Sequence, residues 1–206
     1  MISDSLSDST FTRPYREEID MAFSALDCIL DHEKPIYASA ELTTGRRFYD
    51  ALREFHVKTA DELKQLKGQD WYTANIWDAN VNAAKGFAAR VREKVGRKTL
   101  VISPAPFSAP GWNKSEYLAF WAQLLRTRIS STWFKLDWQY SNGCTFEFAV
   151  AADAGLPTLD HQGGALHAMQ AAELISAAIR DLDSSALDTT KLRENLARLH
   201  PVASRA

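Results

Sequence analysis

Apolar residues at Ile19, Ala22, Phe23, Leu26, Ile29 and Leu30 recur at helical spacing, and Pro14 suits a first helical turn. Residues 14–31 therefore read as an amphipathic helix, ended by Pro35. The period then changes. Ile36-Tyr37-Ala38-Ser39-Ala40 is a short apolar run that reads as a buried strand. Thr43-Thr44-Gly45 is a turn, and Phe48, Tyr49, Leu52 and Phe55 return to helical spacing. Strand, polar glycine loop and helix open a βαβ unit.

The alternation continues down the chain. Thr59-Ala60-Asp61-Glu62 has capping-box spacing and predicts a short helix. Val81, Ala84, Ala88, Val91 and Val95 form a stripe that Gly96 stops, giving a helix over 78–95. Thr99 to Ser103 is the strongest strand signal, and the prolines between Pro104 and Gly111 exclude regular structure there. Asn113-Lys114-Ser115-Glu116 starts another helix. Thr132 to Leu136 reads as a strand, Ser141-Asn142-Gly143 as a loop, Phe146 to Ala154 as a helix and Leu156 to Leu159 as a short strand. Residues 165–200 read as helical. Short strands apolar on both faces, separated by helices, predict a three-layer α/β sandwich with four or five mostly parallel strands. Helical extensions flank it: a weakly ordered tail at 1–12, a helix at 13–33, the α/β domain at 34–162 and a helical C-terminal extension at 163–206. Ligands bind such sheets at the carboxyl ends of the strands. That rule selects the loops Ser39 to Arg47, Pro104 to Asn113 and Trp138 to Glu147.

Composition narrows the classes. A hydrophobic fraction of 46% against 24% charged supports a real core and excludes a disordered chain. No apolar run approaches the ~18 residues of a membrane span. The polar start, MISDSLSDSTFTRP, predicts no secretory leader. The expectation is a cytoplasmic protein with no membrane partner. A net charge of -2 gives no reason to expect a nucleic-acid polymer. Cys28 and Cys144 cannot build a disulfide framework, and His161 and His167 lack same-face helical spacing, so no metal is expected. Without a Gly-x-Gly-x-x-Gly or Walker-type loop, no cofactor is expected either. The six tryptophans all fall between Trp71 and Trp138.

The segment from Asp137 to Pro157 carries the candidate chemistry. A strand ends, a Ser141-Asn142-Gly143 loop turns, and a helix begins with Glu147 near its first turn among apolar residues. Burial raises the pKa of such a carboxyl, whereas the helix terminus lowers it. A carboxylate kept ionised but partly desolvated is a competent nucleophile. Gly143 permits close backbone approach to a ligand. A glutamate there is also favoured by the helix dipole alone. Cys144, beside it, reads chiefly as a small packing residue. Arg46 and Arg47 suit either bidentate anion binding or a solvated helix start. Trp112, Tyr117, Trp138 and Tyr140 lie on or near the selected loops and are candidates to stack on a ligand ring.

The stretch Ser141-x-Gly143-x-x-x-Glu147-x-x-x-Ala151-x-x-x-Gly155-x-Pro157 resembles the nucleoside 2-deoxyribosyltransferase-like superfamily. Ile36 to Ala40 with Gly45-Arg46 resembles that family's opening strand and Gly/Arg loop. Thr99 to Pro104 resembles its second strand. The likeness covers roughly residues 34–160 and implies a Rossmann-like, flavodoxin-like sandwich. It also implies an enzyme that breaks the N-glycosidic bond of nucleosides or nucleotides, passing the sugar to a base or to water.

By this resemblance Glu147 is the nucleophile that forms a glycosyl-enzyme, and Tyr37 orients its carboxylate. Ser141 and Gly143 bind substrate, with Ser39, Gly45, Arg46, Trp112 and Trp138 as further binding candidates. The implied partner is a small nucleoside or nucleotide, and the implied assembly a homo-oligomer. Two positions depart from the family. Where the phosphate-binding branch has a serine four residues after the first-strand tyrosine, this chain has Glu41. No aspartate lies in the 113–125 helix to protonate a departing base, which leaves Glu116 and Asp137 as the acid candidates. These departures also admit a nucleotide-binding module without turnover.

Overall fold

The computed structural model describes residues 13–30, 34–96, 98–105 and 107–203. The tail expected at 1–12 lies outside them. Its helices are α1 (Arg13–Leu30), α2 (Arg46–Glu54), α3 (Ala60–Lys67), α4 (Gln69–Tyr72), α5 (Ala79–Val95), α6 (Lys114–Arg128), α7 (Asn142–Asp153), α8 (Ala168–Ser184) and α9 (Thr190–Ala203). Its strands are β1 (Ile36–Ser39), β2 (Val101–Ile102), β3 (Ser131–Phe134) and β4 (Thr158–Leu159). They form one four-stranded sheet in the order β2-β1-β3-β4, and every pairing is parallel. The architecture is the Rossmann-like three-layer α/β sandwich that the alternation predicts.

Strand parity sorts the two faces. Ile36 and Ala38 of β1 and Trp133 of β3 pack with Ala84, Phe87, Ala88 and Val91 of α5. Tyr37 faces the other way, into a cluster with Ile19 and Phe23 of α1, Phe120, Trp121, Ala122, Leu124 and Leu125 of α6, and Phe146 and Val150 of α7. Phe134 joins a larger cluster with α2, α7, α8 and α9. The helices at 168–203, expected as an extension, thus supply a large part of the same core. The segment before α5 is more regular than its sequence suggests. α4 runs through a π-helical stretch, Thr73–Asp78, directly into α5.

Edges and caps set the remaining boundaries. β2 shrinks to two residues, because Leu100, at the sheet margin, is exposed and pairs only through its carbonyl with the Ile36 N–H. Asn113 caps α6 in a capping box with Glu116, and the Ser141 Oγ caps α7 by accepting from the Cys144 N–H at 3.3 Å. The expected loop 141–143 is therefore the start of α7. No helix among the described residues is long and apolar enough to cross a membrane.

Candidate active site

The sheet order creates its own site. The chain runs from β1 out to β2 and then crosses back to β3 on the other side of β1. The crevice at the carboxyl ends of β1 and β3 is the switch point where ligands bind such sheets. At that crevice Tyr37 Oη donates to Glu147 Oε1 at 2.8 Å, and Ser39 Oγ donates to Glu147 Oε2 at 2.6 Å. Tyr37 and Ser39 are two residues apart on β1 and so share one face of the strand. Glu147 is the sixth residue of α7, in its second turn rather than its first. It meets that strand face from above, and each carboxylate oxygen receives one hydroxyl.

Glu147 is only 5% exposed. Burial lifts its pKa from 4.5 to about 7, against the opposing pull of the Ser39 and Tyr37 hydrogen bonds. Burial and the adjoining carboxylate raise the Tyr37 phenol well above its ordinary value, so it stays a donor. Cys144, one turn before Glu147, is buried and its thiol is driven upward by desolvation and by the Glu147 and Glu41 charges. It is a packing residue, not a thiolate.

Several expected site residues have other occupations. Trp138 is buried, stacked on Phe148 at 4.9 Å and packed on Phe134, so it is core and presents no face to a ligand. Trp112 donates Nε1–H to Glu18 Oε2 at 2.8 Å and packs on Phe107, Tyr117 and Phe120, tying α1 to α6. Tyr117 is bonded to the backbone of Ala109, and Tyr140 donates to Asp181 Oδ2 at 3.0 Å. Glu116 closes its capping box by accepting from the Asn113 N–H at 2.5 Å, which removes it as an acid beside the nucleophile. Ser141 is buried and spent on its cap. Gly143 borders a different space, an apolar groove of about 780 Å³ between α6, α7 and α9. Gly45 has φ 150, and a Cβ there would lie 2.6 Å from Glu41 Cγ, so it accommodates the Glu41 side chain.

A second space lies at the carboxyl edge of the sheet. It measures about 460 Å³ and is walled by Glu41, Arg46, Lys135, Asp137, Trp71 and Asn75, among others. Asp137 sits here at φ 66, with Arg46 at 3.9 Å. Lys135 Nζ lies 2.6 Å from Glu41 Oε1. Sequence reasoning left Lys135 and Trp71 out of the site and took Glu41 only as a departure. The available signal was strand parity: Tyr37, Ser39 and Glu41 occupy alternate positions. Two of the three selected loops touch each other, because the Asn142 N–H donates to Thr44 Oγ1 at 3.0 Å. Glu147 itself lines neither space. Among the described residues no group of three or more His, Cys, Asp or Glu side chains is placed to hold a metal ion.

Comparison of the chain with protein-family models, with curated proteins and with solved structures returns no match.

Proposed function

We propose that the protein cleaves or transfers at the N-glycosidic bond of a nucleoside or nucleotide, with Glu147 as nucleophile. The observation that carries this reading is the Glu147 carboxylate, buried at the switch point of a parallel sheet and held by one hydroxyl on each oxygen. Such a carboxylate has a fixed orientation and little hydration to shed, which favours attack on an anomeric carbon. In the first step a bond forms between a Glu147 oxygen and the anomeric carbon as the bond to the base nitrogen breaks, and the base leaves with a proton. In the second, water or an acceptor base attacks the glycosyl-enzyme and restores the carboxylate, with net retention at the sugar. Tyr37 and Ser39 lower the carboxyl pKa against the effect of burial, and so increase the fraction ready to attack near neutral pH. Of the two acid candidates only Asp137 lines the cavity at this edge, so Asp137 is the proton donor in this reading.

The test is release of free base from a panel of deoxynucleosides and deoxynucleotides, followed chromatographically, with a search for a glycosyl adduct on Glu147 by mass spectrometry. Wild-type turnover that Glu147→Gln abolishes is the expected result. A panel that yields no base with or without an acceptor, or a Gln variant as active as wild type, refutes it.

A second reading is a nucleotide-binding module on the same fold. The low exposure of Glu147, and its absence from the walls of both cavities, favour that reading. Nucleotide-dependent stabilisation without any product would select it.

A further inference from the structure

Glu41 poses a problem that its ion pair does not solve. Its side chain is 6% exposed. Oε1 accepts from Lys135 Nζ at 2.6 Å, but Oε2 is buried with no hydrogen-bond partner. A buried carboxylate oxygen without a donor is costly, and native structures seldom retain one without a use. Glu41 stands in the wall of the 460 Å³ cavity beside Trp71. The missing partner is a donor, so an anion does not complete this atom. Nor is the nearby Arg46 uncommitted, with Asp50 at 3.8 Å and Asp137 at 3.9 Å.

We infer that the Glu41–Lys135 pair is a base-reading subsite that selects nucleobases bearing an exocyclic amine, of the adenine and cytosine type. This inference rests on the nucleoside reading above and names the substrate class. An ammonium group carries three N–H donors. Lys135 spends one on Glu41 and directs another at the Leu136 carbonyl, 3.4 Å away. The pair thus leaves one acceptor, the buried Glu41 Oε2, without a donor, next to a Lys135 ammonium that has one donor uncommitted. An amine beside an unprotonated ring nitrogen is the complement of that edge. The corresponding oxo bases, hypoxanthine and uracil, present a carbonyl beside a ring N–H and reverse both contacts. The indole of Trp71 adds a flat apolar surface to the same wall.

The experiment is calorimetric titration of the full chain with free bases in matched pairs: adenine against hypoxanthine, and cytosine against uracil. The amino member of each pair should bind at least about tenfold more tightly, because the oxo member leaves buried polar groups mispaired. Glu41→Gln should bring each ratio to within about threefold, because an amide presents either a donor or an acceptor. Trp71→Ala should weaken both members and keep the ratio. Equal binding of each pair by the wild type, no binding of any free base, or a ratio unchanged in Glu41→Gln overturns the inference. If Glu41→Gln does not fold, the wild-type ratio and Trp71→Ala decide it alone. Free bases have no glycosidic bond, so this result is independent of turnover. Selective base binding with no base ever released from nucleosides defeats the catalytic reading and leaves the subsite standing.

Discussion

Replacing Glu147 with glutamine should stabilise the protein at neutral pH and leave it unchanged in acid. In the folded chain the Glu147 pKa is raised from 4.5 to about 7, chiefly by burial. Folding therefore binds a proton at this site between those two values. The wild-type contribution from this group is greatest below pH 4.5 and is lost as pH rises through 7. Holding one proton across one pH unit is worth about 1.4 kcal/mol, so between pH 5 and pH 8 the loss from this group is about 2.5 kcal/mol. Glutamine has no such titration. Its carbonyl can accept from Tyr37, and its amide can donate to Ser39, whose hydroxyl accepts equally well.

The assay is urea unfolding of both proteins at pH 5, 6, 7 and 8. The difference between the two stabilities isolates this site, because every other titrating group is common to both. The gap should widen in favour of glutamine across that interval by about 2.5 kcal/mol, a melting-temperature difference on the order of 5–10 °C for a chain of this size. A gap that stays constant to within about 0.5 kcal/mol refutes the claim that burial governs this carboxyl. The result also bears on function. A chain that gains stability when its candidate nucleophile is neutralised carries that charge at a cost, as active-site carboxylates do.

Further outcomes follow from the same geometry. The logarithm of kcat/KM for base release should carry a rising limb governed by Glu147, since attack needs its ionised form; a flat profile from pH 5 to 9 contradicts it. Ser39→Ala removes a hydrogen bond that lowers the Glu147 pKa and should move that rising limb to higher pH; an unmoved limb contradicts the role given to Ser39. Trp138→Ala should cost about 3–5 kcal/mol in urea unfolding and leave KM unchanged, because its ring lies between Phe134 and Phe148; a large KM effect without destabilisation would restore it as a binding residue. Gly45→Ala, at φ 150 with a Cβ 2.6 Å from Glu41 Cγ, should destabilise by about 1–3 kcal/mol and disturb the Glu41–Lys135 pair; neutral stability contradicts the close packing described.

Much of the fold was legible because its signals are local. Capping residues at Thr59 and Asn113 and the stripe that stops at Gly96 fix their helices without tertiary information. Periodicity failed where tertiary context decides. Thr99 to Ser103 has the strongest strand composition, yet only Val101 and Ile102 pair, since the segment lies at the margin of the sheet. Residues 69–78 carry no helical stripe, but they extend α5 backward through a π-helical stretch that places Trp71 against Phe55. Aromatic residues were the hardest to assign. Sequence position put Trp138 on a loop, and the tight turn at Asp137 rotates it inward onto α7.

The site was legible on one side only. The Ser141-to-Pro157 spacing identifies Glu147 from its own neighbours, but the hydroxyls that hold it come from a strand more than a hundred residues earlier. Their meeting depends on β1 and β3 being adjacent, which the crossover through β2 brings about. Once that adjacency is given, strand parity orders the rest. In register, Tyr37 lies opposite Thr132 and Ser39 opposite Phe134. The Lys135 N–H then donates to the Ser39 carbonyl, and the next odd position, Glu41, meets the Lys135 ammonium. The Glu147 site and the Glu41–Lys135 pair are therefore successive steps along one β1–β3 edge. That is why a position that reads as hostile to a phosphate in sequence becomes, in three dimensions, a neutralised carboxylate with one oxygen left to bond.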